Sequence, residues 1–167
     1  MNNFKTNIPG FNIRLAVKSD ARLIIRYIRE LAAFEDQLDE VTATEESLEK
    51  YMFDLHGAET LIGEFNESPV GFAFFHQTFS TFNGKPGIAL VDLYIEPEMR
   101  GRGFGKTMLT YLSKLTLERN CERLEWWLHD WNKEAERFYR KCGADMVKDI
   151  RIYRLCGKGL KDFSAQL

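Results

Sequence analysis

The stretch "GIALVDLYIEPEMRGRGFGKTML" (87–109) limits the possible folds of this chain more than any other. It opens as an apolar run with strand-forming residues and stops at Pro97. After a turn of alternating glycines it resumes with Met108, Leu109, Leu112 and Leu115 at helical spacing. A strand that feeds a helix through glycines gathers exposed N–H groups and the positive end of the helix dipole at one point, which favours an anion. Three phosphate-binding turns compete for it. The nucleoside-triphosphate loop G-x-x-x-x-G-K-[ST] finds its "GKT" at 105–107, but its leading glycine falls on Arg100. The dinucleotide turn G-x-G-x-x-G finds Gly101 and Gly103, but its third glycine falls on Lys106. The shorter pattern [RQ]-x-x-G-x-[GA] is met in full by Arg100, Gly103 and Gly105.

The segments on either side set the fold class. "FNIRLAV" (11–17) alternates as a strand does, and Asp20 stands where it could cap a helix carrying Leu23, Ile24, Tyr27, Ile28, Leu31 and Phe34 on one face. Thr42 and Glu45 have capping-box spacing ahead of a second, short helix. "AETLIGEFNESPVGFAFFHQTFS" reads as two strands joined at Asn66–Pro69. Beyond the helix that follows the glycine turn, "RLEWWLH" (123–129) reads as a strand. "NKEAERFYRKCG" (132–143) reads as a helix ended by Gly143, and "ADMVKDIRIYRLC" (144–156) as a closing strand pair. The expected order is βααβββαβαββ, a mixed and mostly antiparallel α+β sheet flanked by helices. No repeat or linker interrupts the 167 residues, so the chain reads as one domain, 1–167.

Composition narrows the function. A formal net charge of −2 argues against a general nucleic-acid binder, and no apolar run approaches the length of a membrane span. The N-terminus carries no secretion signal. The three cysteines, Cys121, Cys142 and Cys156, are widely spaced and odd in number. The expectation is a cytoplasmic protein with reduced thiols and no metal. Charge is nonetheless unevenly spread. Residues 30–49 contain eight acids and no Lys or Arg, whereas 99–117 contain Arg100, Arg102, Lys106 and Lys114 and no acid. Either the acidic run is a solvated helix face, or the molecule holds an anionic ligand at one place and a cationic one at another.

Taken together, "LVDLYIEPEMRGRGFGKT" and the later "WNKEAERFYRKCGA", with its N-x-x-A-x-x-F-Y-x-x-x-G-A pattern, resemble the GNAT superfamily of acetyl-CoA-dependent N-acetyltransferases. "IRLAVKSDARLIIRYIRELAAFE" and "STFNGKPGIALVDLYIEPEMRGRGFGKTML" are similar to its spermidine/spermine (diamine) N-acetyltransferase family, and the likeness spans a core of 12–156. The resemblance implies the GNAT (acyl-CoA N-acyltransferase) fold and acetyl-CoA as co-substrate. The acetyl group would pass directly to a primary amine, either a small diamine or polyamine or an amino-acid-like amine. It implies that the turn Arg100, Gly101, Arg102, Gly103, Phe104, Gly105 and Lys106 holds the CoA pyrophosphate. The backbone of Leu93, Tyr94 and Ile95 would pair with the pantetheine and acetyl carbonyl, and Asn132, Lys133, Glu134 and Ala135 would meet the pantetheine arm. Tyr139 would protonate the departing thiolate, a role that suits a phenol still protonated at neutral pH. Phe34, Glu35, Asp92 and, less directly, Glu125 would line the amine site, with Val91 standing where the family has a second acid.

The resemblance also implies a homodimer acting on a small-molecule amine. A ping-pong route through cysteine is the rival mechanism, but no cysteine neighbours a histidine in sequence. His129–Asp130 reads as a polar strand end. Two further alternatives are a CoA-binding regulatory or sensor module without turnover, and acetylation of a protein or peptide amine.

Overall fold

Six strands hydrogen-bond in chain order: β1 (Asn3–Lys5), β2 (Phe11–Leu15), β3 (Glu59–Phe65), β4 (Ser68–Ser80), β5 (Lys85–Ile95) and β6 (Leu124–Trp126). Neighbours are antiparallel except β5 and β6, which run parallel because helix α3 (Phe104–Glu118) crosses between them. This is a computed structural model describing residues 3–167. It divides into two compact units, the first ending at Leu128 and the second comprising His129–Leu167.

In the first unit, helix α1 (Ala21–Phe34) and the short α2 (Glu45–Leu48), continued as a π-helix over Glu49–Asp54, cover one face of the sheet. Ala21, Ile24 and Tyr27 of α1 pack with Leu48, Met52, Ile62, Phe72 and Tyr94. The Tyr27 ring lies 5.6 Å from Phe72 and 5.8 Å from Tyr94. Helix α3 covers the other face. Its first residue, Phe104, stacks on Phe11 at 4.2 Å and 7° and lies 5.2 Å from Phe65. Gly63 makes room for this helix, since a Cβ there would meet both Met108 Sδ and the Phe11 ring at 3.0 Å. Burying a side chain such as Phe104 or Met108 contributes about 1.5–3 kcal/mol, so the start of α3 is firmly anchored.

Two capping expectations are corrected. Asp20 does not cap α1; its carboxylate accepts from the Val17 amide at 2.8 Å and from Arg14 at 2.6 and 3.0 Å. Arg14 is the stronger competitor because it is a charged donor fixed on β2, where it also reaches Glu64 at 2.8 Å. The capping box of α2 is Thr44 with Ser47 rather than Thr42 with Glu45. The Ser47 amide donates to Thr44 Oγ1 at 3.1 Å, and the Thr44 amide donates to Ser47 Oγ at 2.9 Å.

One irregularity decides the geometry of the site. Phe75 pairs with Leu90 but Phe74 pairs with Asp92, so Val91 is an extra residue in β5, a β-bulge. Side chains alternate along a strand, and one extra residue moves everything beyond it to the opposite face. Leu90 lies opposite Phe75, whose ring carries the Arg119 guanidinium from the end of α3. Asp92 instead lies opposite Phe74 on the α1 face, which it shares with Tyr94.

The second unit contains α4 (Lys133–Lys141) and α5 (Gly157–Ser164). The Asn132 side chain caps α4 by accepting from the Ala135 amide at 3.1 Å, and Gly143, at φ +89°, ends the helix as its spacing led us to expect. The expected closing strand pair over 144–156 is not formed. Among the described residues no strand pairs with this segment, and Ile150 and Ile152 are 71% and 55% exposed. An alternating pattern becomes a strand only with a ladder partner to satisfy its backbone. The observed order therefore gains β1 at the start, ends on α5, and lacks the final two strands.

Candidate active site

The glycine turn stands at the head of α3. Gly101 and Gly103 have φ of +74° and +86°, left-handed values that cost other residues steric strain, and Gly103 is the residue at the helix start. Thr107 is the first residue to donate within the helix, to Gly103 O at 2.9 Å, and no side chain caps this end. The amides preceding it are the orphan donors of a helix N-terminus. Phe104 sends its ring into the aromatic stack described above, so only its backbone belongs to the turn. Arg102 is exposed, with its guanidinium 5.7 Å from the Phe65 ring, and Lys106 is exposed on the first turn of α3.

Next to the turn, β5 has an open edge. Among the described residues β6 pairs only with Ile88, Ala89 and Leu90, so beyond the bulge Leu93, Tyr94 and Ile95 have β4 on one side and no described strand on the other. An extended chain with amide groups could continue the ladder there. Both features fit CoA, whose pyrophosphate requires backbone donors and whose pantetheine arm carries amides.

The α1 face at the C-terminal end of β5 is acidic. Burial first and the Glu30 carboxylate second push the Tyr94 hydroxyl up to about 12. Glu96 accepts from Tyr27 Oη at 3.2 Å and from Arg26 Nη2 at 3.0 Å. Asp92 differs from both, because among the described residues its carboxylate has no hydrogen-bond or ion-pair partner. Burial, and then the charge of Glu35, push its carboxyl up to about 6. Glu35 ends α1, directly after Phe34, which is half exposed. Val91, the bulged residue, is 48% exposed beside this carboxylate.

Of the residues expected at the amine site, Phe34 and Glu35 stand together at the end of α1, and the charge of Glu35 acts on Asp92. Glu125 lies on the same sheet face, opposite Ala89, but is exposed and ion-paired with Arg123 at 3.2 Å. In the second unit, Asn132 Oδ1 is engaged as a helix cap, Lys133 pairs with Glu136 at 3.2 Å, and Glu134 and Ala135 form the first turn of α4. Tyr139 is half buried on the face of α4 that it shares with Ala135 and Phe138, and its ring lies 5.1 Å from that of Phe138. His129 follows β6 rather than belonging to it and stacks on Trp131 at 5.7 Å. Cys121 is buried, Cys142 half buried and Cys156 exposed, all as free thiols. Sequence reasoning missed the roles of Glu30, Glu96 and the Tyr94 side chain, since a contact between α1 and the end of β5 has no local signal.

A glycine turn at the head of a helix, beside a strand with an open edge among the described residues, has the form that a CoA-dependent acyltransferase requires. The profile of the acetyltransferase (GNAT) family matches residues 25–144, and the chain belongs to that family. It is 30% identical to the thialysine N-epsilon-acetyltransferase of Bos taurus, covering 92% of this chain and 97% of that one. It is 35% identical to an L-ornithine N5-acetyltransferase of Arabidopsis thaliana over 54% of this chain and 40% of the relative. Among solved structures, an integron cassette protein from the mobile metagenome of V. cholerae superposes with a TM-score of 0.79 at 24% identity, covering 93% of this chain and 98% of that one. The GNAT fold expected from the sequence is thus found, and the protein is an N-acetyltransferase that takes its acetyl group from acetyl-CoA. Among the described residues no helix is long and apolar enough to cross a membrane, and no group of three or more side chains is placed to hold a metal.

Proposed function

We propose that the acceptor is a small primary amine, a short diamine or an amino-acid-like amine bearing a terminal ammonium group. The observation that carries this reading is Asp92, a carboxylate without a protein partner among the described residues, turned by the bulge to the α1 face, where the charge of Glu35 acts on it and Val91 is its apolar neighbour in the strand. Two acids at one place suit one ammonium group. With Val91 where a further acid would stand, a long polyamine finds fewer countercharges. The named relatives acting on thialysine and ornithine are compatible with this choice.

Acetyl-CoA supplies the acetyl group as a thioester. The ammonium first loses one proton to solvent, and the free amine then forms the C–N bond as the C–S bond breaks. The second proton of the acylated nitrogen restores the Tyr139 hydroxyl after it has protonated the sulfur. In this reading the amides of residues 101–106 hold the pyrophosphate and the open edge of Leu93–Ile95 orients the arm. The Asn132-capped start of α4, with Lys133, Glu134 and Ala135, meets the pantetheine, and Tyr139 gives its hydroxyl proton to the leaving sulfur. Asp92 and Glu35 draw in the ammonium, with Glu125 further out on the same face. Orientation of both reactants contributes most of the acceleration, and positioned proton transfer adds to it. The family profile, over residues 25–144, runs from the first compact unit into the second, which supports reading 1–167 as one acetyltransferase domain. The three free thiols suit a reducing cytoplasm. Exposed apolar residues in the second unit, such as Ile150, Leu155 and Phe163, suit a homodimer, which sedimentation would detect.

Thiol release measured across a panel of amines tests the acceptor. Short diamines, ornithine and thialysine should be turned over with higher kcat/KM than spermine or N-terminal peptides; a peptide preferred over all of them would overturn this reading. The turn is tested at Gly105, where a Cβ would lie 3.7 Å from Ile95 Cγ1, an ordinary contact. Gly105→Leu should therefore keep or raise the melting temperature, since leucine favours helix over glycine by roughly 1 kcal/mol. Its CoA Kd should rise at least about tenfold, because the new side chain fills the space before the amides. An unchanged Kd would remove the pyrophosphate from this turn.

A further inference from the structure

Arg100 opens the [RQ]-x-x-G-x-[GA] pattern, yet its side chain turns away from the amides at the head of α3. Its Nε donates to Ile95 O at 3.0 Å, and its Cζ lies 5.1 Å from the centre of the Phe34 ring and 5.6 Å from that of Tyr94. Tyr94 belongs to the cluster on the α1 face, whereas α3 packs on the opposite face through Phe104 and through Gly105 beside Ile95. The guanidinium is thus a bridge between the last residue of α1 and the end of β5. The Glu35, Asp36 and Gln37 amides donate back to Leu31, Ala33 and Ala32 carbonyls, and Asp36 already has a left-handed φ of +57°.

Resting on the proposed amine site, we infer that Arg100 is a positioning residue for the acceptor, fixing Phe34 and hence Glu35 opposite Asp92. Shape matters here as much as charge. A planar guanidinium can lie against two rings and donate through Nε at the same time, whereas a lysine ammonium, although equally charged, can do neither in that geometry. Through Ile95 O the same side chain also fixes the β5 edge, so one residue registers the acceptor wall against the strand that would carry the acetyl donor.

The test compares Arg100→Ala, Arg100→Lys and Phe34→Leu, with amine KM measured at saturating acetyl-CoA and amide exchange at 35–37 measured on the free protein. The expected result is a rise of about tenfold in amine KM and in exchange for both Arg100 variants, with lysine failing to rescue and Phe34→Leu following them. Amine KM and exchange unchanged in Arg100→Ala would overturn the inference. So would full rescue by lysine, which would make Arg100 a simple charge. The exchange measurement needs no turnover. Inactivity of the wild-type protein on every amine would therefore overturn the acceptor assignment, while exchange would still decide whether Arg100 holds the end of α1.

Discussion

Tyr139→Phe is expected to lower kcat by about 10²–10⁴, the usual contribution of a positioned general acid, while leaving the Kd for acetyl-CoA within about twofold. The substitution removes one oxygen and keeps the ring that lies beside Phe138, so α4 should retain its cap at Asn132 and its end at Gly143. Stopped-flow thiol release and calorimetry on the same preparation measure the two quantities separately. A parallel loss of CoA affinity and turnover would make Tyr139 a packing residue. A leaving thiolate is stabilised only as it forms, so its proton donor should affect kcat and leave ground-state binding alone.

Asp92→Asn should make the protein more stable and the enzyme far worse. Burial and Glu35 raise the carboxyl from its ordinary 3.8 to about 6 in the folded protein. Between those values the folded state binds more protons than the unfolded chain, so stability falls as pH rises from about 4 to about 6 and stays lower above that range. Removing the charge should therefore increase stability above pH 7, on the order of 1–3 kcal/mol, and have no effect below about pH 4. Over the same window the wild-type kcat/KM for the amine should rise as Asp92 ionises and becomes able to attract a cation. In Asp92→Asn that rise should vanish and kcat/KM should drop by about 10² or more, as when one partner of a buried charge pair is lost. Equal stability of wild type and variant at pH 8 would show that Asp92 is solvated and not held in reserve for a ligand.

Much of this molecule is legible in its residues. The helical period of Leu23 to Phe34 and the uninterrupted apolar runs of β3 to β5 describe elements that bury one or both faces, and such patterns survive in the structure because packing rewards them. The glycines of the turn were readable because left-handed φ leaves few other choices at Gly101 and Gly103. What failed depended on partners distant in sequence. Asp20 looked like a cap until Arg14 was seen beside it, and the 144–156 segment alternates like a strand but lacks a neighbour among the described residues. Within the site, the acids of 30–49 could be counted but not sorted. Nothing local says that Glu30 acts on the Tyr94 hydroxyl while the charge of Glu35 acts on Asp92.

Val91 has one last consequence. Its side chain is largely exposed, but its presence as an extra unit of backbone sets the phase of everything after it in β5. The strand behaves like a text with a reading frame: a change of letter at 91 alters one word, whereas removing the letter would turn Asp92 and Tyr94 to the wrong side and bring Leu93 in their place. A substitution at this position therefore changes one side chain, whereas a change in the strand's length here exchanges the two faces of its end.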